Sequence, residues 1–141
     1  MILGQAQTTT FKLNLLKGLE NFFTGSPYVY KIALYNAVST LNSETTAYTT
    51  QDEITGTGYV AGGKVLTPTV GSDPSNNTAY VTFANVTWSP ANFTAAGALI
   101  YNSTTNASVA VLNFGGEKLA SSSFTIEFPA ATSTTAVLRI N

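Results

Sequence analysis

The sequence predicts an all-β protein: an antiparallel β-sandwich of jelly-roll or Greek-key type, with one amphipathic helix near its N-terminus. Three observations carry that prediction. Charged residues make up only 9% of the 141 residues and hydrophobic ones 44%, where an ordinary globular protein is about 25% charged. Thr, Ser and Asn must therefore supply the polar surface, as they do on the outer face of an antiparallel sheet. Short runs of period two recur along most of the chain, separated by turn chemistry such as "GSDPSNN", "WSPANF" and "NSTTN". A single segment departs from this with a period near 3.6.

Residues 1–10 lack a period and end in three threonines, which predicts an extended arm. "FKLNLLKGLENFF" then places Phe11, Leu15, Leu19 and Phe22 on one side, with Leu16 and Phe23 beside them and Lys12, Lys17, Glu20 and Asn21 opposite. This spacing predicts an amphipathic helix over 11–24, with Thr10 as N-cap and Gly25, Ser26 and Pro27 as its stop. The helix either covers an open end of the sandwich or docks with the arm onto a partner. In the second case Ile2, Leu3, Phe11, Leu15, Phe22 and Phe23 are the apolar anchors.

The sandwich is expected over 25–141, the whole chain forming a single domain long enough to bury about two thirds of its unfolded surface. In "YVYKIALYNA", Tyr28, Tyr30, Ile32 and Leu34 share one face and Val29, Lys31, Ala33 and Tyr35 the other, so this strand is buried on both sides. The polar stretch 38–53 reads as a long loop. Further strands are expected at 64–70, 78–84, 95–102, 107–114, 123–128 and 135–140. In the sixth of these seven strands Phe124, Ile126 and Phe128 point inward against Thr125 and Glu127.

Between the long loop and the next strand, "EITGTGYVAGGKVLTP" concentrates Gly56, Gly58, Gly62 and Gly63. The spacing fails the phosphate-binding pattern G-x-x-x-x-G-K-[ST], because Val65 follows Lys64 and a strand rather than a helix comes next. The four glycines are instead expected to let the chain turn a corner of the sandwich.

Composition narrows the function. Six basic against seven acidic residues leave a net charge of −1, with no basic field to attract nucleic acid. The absence of His removes the commonest general base and metal ligand, and the absence of Cys removes thiolate and disulfide chemistry. Neither an enzyme nor a cofactor or metal site is expected. "SDPSNN" lacks the alternating acids of a calcium loop, and no spacing selects Glu127 with Glu53 or Glu117 as a glycosidase pair. Trp88, Tyr28, Tyr30, Tyr59 and Tyr101 either pack in the core or an interface, or form a sugar-stacking platform. Five N-x-[ST] sequons, at Asn76, Asn85, Asn92, Asn102 and Asn106, follow from the Asn- and Thr-rich composition. No leader or apolar span of about 20 residues is evident, so a soluble protein made in a cytoplasm, with no membrane partner, is expected.

Four stretches, "YKIALYNAVSTLNSETTAYT", "DEITGTGYVAGGKVLT", "VTFANVTWSPANFTAAGALIYNSTTNASVAVLNFGG" and "FTIEFPAATSTTAVLRI", together spanning roughly 28–140, resemble small structural proteins of tailed-bacteriophage virions. Within that group the chain looks most like a capsid cement or decoration protein. The resemblance implies a jelly roll on the outside of an icosahedral capsid, assembled in the host cytoplasm, binding the major capsid protein and itself as a dimer or trimer. It offers no catalytic residues. A tail, neck or fibre component with receptor or glycan binding is the alternative.

Overall fold

The computed structural model describes residues 3–141. The strands are β1 (Ala6–Gln7), β2 (Tyr30–Tyr35), β3 (Lys64–Val65), β4 (Pro68–Asp73), β5 (Thr78–Phe83), β6 (Val86–Trp88), β7 (Phe93–Asn102), β8 (Ala107–Ala120), β9 (Phe124–Ile126) and β10 (Leu138–Ile140), with helix α1 over Thr9–Leu16. All pairings between these strands are antiparallel. A five-stranded sheet has the order β1-β8-β7-β2-β3, and a facing layer is built from the three-stranded β10-β5-β4 and the β6-β9 pair. Only Ala84 and Asn85 separate β5 from β6. Because β9 pairs with β6 and β10 with β5, residues 124–140 run back along 78–88, interrupted by an excursion over 127–137. The fold is thus the expected all-β sandwich, and no helix among the described residues is long and apolar enough to cross a membrane.

Two apolar clusters sit on opposite faces of the five-stranded sheet. Between the layers, Ile32, Leu34, Ala98 and Ile100 meet Phe83, Val86, Trp88, Ile126 and Leu138. On the other face Ala33, Tyr35, Leu99, Tyr101 and Val111 are covered by Leu3, Leu41 and Tyr48. The central strands β2 and β7 are therefore buried on both sides, which is why "KIALY" and "AAGALIY" read as nearly continuous apolar runs. The alternation expected for Phe124, Ile126 and Phe128 is present, with Thr125 and Glu127 exposed.

The N-terminal region departs from expectation. Residues 6–7 are not a free arm but pair with Val111 and Ala110 at the edge of the sheet. This pairing holds the chain extended up to Thr8, whose Oγ1 accepts from Phe11 N at 3.1 Å and caps the helix, so Thr10 lies inside it. The helix ends at Leu16 rather than near 24. Lys17 is the C-cap, Gly18 takes φ +71°, and Gly18 N donates to Leu15 O while Leu19 N donates to Asn14 O. That pair of bonds is a Schellman stop, which only a residue tolerant of positive φ completes cheaply. The spacing of Leu19 and Phe22 mimics a helix that Gly18 has already closed.

Other boundaries shift for local reasons. The strand expected over 64–70 divides into β3 and β4 as the chain passes from one layer to the other. β6 was hidden in a segment dominated by turn residues, and the strand expected to end at 114 continues to Ala120. Gly115 and Gly116, with φ +78° and +147°, bulge out between Asn113 and Lys118, after which pairing with β7 resumes at Ala95↔Lys118.

Candidate functional site

The apolar residues expected as partner anchors separate into two groups. Leu3, Phe11 and Phe22 are 5%, 1% and 6% exposed and belong to the protein's own core. Phe22 stacks on Tyr30 with centroids 4.2 Å apart and meets Phe11 edge-on at 5.9 Å. These three are unavailable to a partner, because Phe11 and Phe22 pack into the core between the layers and Leu3 covers the outer face of the five-stranded sheet. Ile2 lies outside the described residues. Leu15 is half-buried, and Phe23 is 71% exposed.

Around Leu15 and Phe23 the fold adds Ile140 of β10 to apolar residues that the helical reading had already placed together. Leu16 is 88% exposed, Ile140 at the end of β10 is 56% exposed, and Leu13 and Leu19 also face outward. Two adjoining hollows of about 260 and 720 Å³ share Leu15, Arg139 and Ile140. The first runs over Phe23, Val70 and Tyr80, the second past Lys12 and Leu16. A helix that buries one side and leaves leucines on the other is not a finished surface helix. This α1–β10 face is the candidate interaction site.

Beneath it lies a buried carboxylate. Glu20 Oε1 accepts from Tyr30 OH at 3.0 Å and from Asn102 Nδ2 at 2.8 Å, while the buried Oε2 has no hydrogen-bond partner. Burial raises the Glu20 carboxyl above its usual range, and hydrogen bonding from Asn102 and Tyr30 opposes this; Asn14 is close enough to oppose it too, but closes no bond to Oε2. With the folded value above the unfolded one, the folded protein holds this proton more tightly. The favourable contribution is therefore complete below the ordinary value of 4.5 and is lost as pH rises through the raised value. Glu20→Gln is expected to be more stable than the wild type at neutral pH by about 1–3 kcal/mol. Their melting temperatures should converge near pH 4; a constant difference across the range would contradict the assignment. Comparing the two proteins cancels Asp73, whose carboxyl is held below its usual range by Ser133, Asn76 and Ser75.

The glycine-rich corner is held by a second carboxylate. Glu53 Oε1 accepts from Tyr48 OH at 2.6 Å, and Oε2 accepts from Tyr59 OH at 2.5 Å and Gly62 N at 2.8 Å. Tyr59 OH also accepts from Leu34 N, serving β2 where β3 no longer reaches, and Tyr101 OH donates to Gly62 O at 2.7 Å. Burial, followed by the nearby Glu53 charge, pushes Tyr101 up to about 12, and burial likewise raises Tyr35, Tyr48 and Tyr59. All four phenols therefore stay protonated and act as fixed donors. The stretch Gly56 to Gly63 is a clasped corner, with positive φ at each of its four glycines. Sequence spacing gives the glycines but not the tyrosine clasp that fixes them.

The sugar-platform reading fails on burial. Trp88, Tyr30 and Tyr101 are 1%, 2% and 3% exposed, and Lys64 Nζ lies 5.8 Å from the Trp88 ring centroid. Trp88 instead packs against Phe93 and Phe124 between the layers. Among the described residues no three His, Cys, Asp or Glu side chains converge in a metal-binding group.

Fold and face together define a small all-β sandwich with an uncovered apolar patch beside its N-terminal helix. Comparison with protein-family models, with curated proteins and with solved structures finds no match.

Proposed function

We propose that the protein is a structural component of a tailed-phage virion, seated on the outside of the icosahedral capsid, where it cements neighbouring major capsid protein subunits. The observation that carries this reading is the α1–β10 face, where Leu16, Phe23 and Ile140 stand exposed beside one another. Such a patch favours a docked state over a free one. The resemblance of 28–140 to virion proteins supplies the setting, and a surface with so few charges resists association poorly. Neither a catalytic role nor a cofactor enters the proposal. Many modest contacts repeated over one shell strengthen it by multivalency, and closed symmetry favours self-association as a dimer or a three-fold cluster.

Quantitative gel analysis of purified virions tests the location. A copy number equal to that of the major capsid protein, or a simple fraction of it, is expected; the low copy number of a tail, neck or fibre component would overturn it. Leu16→Ser with Phe23→Ser is expected to reduce occupancy on shells without altering the circular-dichroism spectrum, since both side chains are exposed.

A further inference from the structure

We infer that the groove between α1 and β10 receives an acidic segment carrying apolar anchors, so that the partner presents Asp or Glu beside Leu-, Ile- or Phe-like side chains. The inference deepens the capsid-docking reading and rests on it for which protein supplies the segment; the chemistry comes from the groove. The charged residues that line the larger hollow are Lys12 and Arg139, the Arg139 guanidinium also donating to Thr134 O at 2.6 Å, and no Asp or Glu lines it among the described residues. Two of the chain's six basic residues thus meet at one hollow of a protein whose net charge is −1. The apolar floor between them comes from Leu15, Leu16 and Ile140.

The two features reinforce each other. Apolar contact at Leu16 and Ile140 excludes water from the neighbourhood of Lys12 and Arg139, and a cation beside a dewetted contact attracts a carboxylate more strongly than it would in open solvent. A basic segment would meet like charge at both rims, and a purely polar one would leave the leucines wet. A second copy approaching by the same face would bring its own Lys12 and Arg139 against these, so self-pairing through this face is disfavoured.

The test uses three short synthetic peptides as probes: alternating leucine and glutamate, alternating leucine and lysine, and alternating serine and glutamate. Each is titrated into the ¹⁵N-labelled full chain and followed by amide chemical shifts. The leucine–glutamate peptide is expected to shift the amides of Lys12, Leu16, Arg139 and Ile140 and to bind about tenfold more tightly than either control. Its advantage over the leucine–lysine peptide should shrink in ~1 M salt, where screening acts within about 3 Å. Lys12→Glu alone, at an exposed position, should erase that preference, and Lys12→Glu with Arg139→Glu should invert it. Equal binding of the acidic and basic leucine peptides, no binding, or shifts confined to other faces would overturn the inference. These outcomes leave the copy-number measurement untouched. Conversely, a tail-like copy number with selective binding of the leucine–glutamate peptide would move the protein's location while keeping the chemistry of the groove.

Discussion

Replacing Glu53 with alanine is expected to destabilise the protein by about 3 kcal/mol or more, lowering the melting temperature by roughly 10 °C. The carboxylate accepts from Tyr48 OH, Tyr59 OH and Gly62 N, and its removal leaves three donors in a partly buried site with no acceptor. Each such donor carries a desolvation cost that the lost bond no longer offsets. Glu53→Gln should recover only part of the loss, because the amide presents N–H groups toward donors at one of its two ends. A spectroscopic readout separates this account from a general loosening. Glu53 is the second-largest cause of the Tyr101 shift, after burial, so absorbance titration of Glu53→Gln should bring Tyr101 down from about 12 toward the ordinary value of 10.0 without reaching it. Unchanged stability together with an unchanged phenol titration would show that the clasp is incidental.

The legible parts of the fold were those where one physical rule acted alone. Ile32, Ala33, Leu34 and Tyr35 betray a doubly covered strand because both faces are apolar, and Phe124, Thr125 and Ile126 betray a half-buried one because the faces alternate. The helix was misjudged where two rules competed. Leu19 and Phe22 continue the apolar spacing, but Gly18 sits where a C-cap glycine ends the helix, and the local stop prevailed. Phe22 then owes its burial to Tyr30 and Phe83 rather than to a helical face. Long-range partners escaped detection altogether. Nothing near Glu53 announces that Tyr101 will clasp Gly62, although tyrosines at 48 and 59 flanking the Asp52–Glu53 pair before a glycine run are a local hint. The candidate face was hidden for a related reason: Ile140 and Arg139 reach α1 only because β10 lies along β5.

Gly63→Ala is expected to be the most damaging single substitution in the corner, costing about 4 kcal/mol or more, which for many solution conditions means no folded protein. A methyl group on Gly63 would lie 1.8 Å from Ile32 O, 2.6 Å from Ile32 C and 2.8 Å from Ala33 Cα. Those atoms belong to β2, the strand whose two faces carry the two apolar clusters. They cannot retreat without disturbing the core, and Gly63 cannot retreat without breaking the adjacent Ile32↔Lys64 pairing that attaches β3. Gly62→Ala is the matched control. Gly62 also has positive φ, +96° against +78°, but a methyl group there would meet only Tyr101 OH at 3.5 Å and Lys31 Nζ at 3.8 Å, which are ordinary contacts. Backbone strain alone predicts a loss of about 1–2 kcal/mol at Gly62. The difference between the two variants in urea denaturation therefore isolates the close approach of two backbones from the cost of left-handed geometry. Equal losses would mean that conformational freedom, and not contact with β2, is what glycine supplies at position 63.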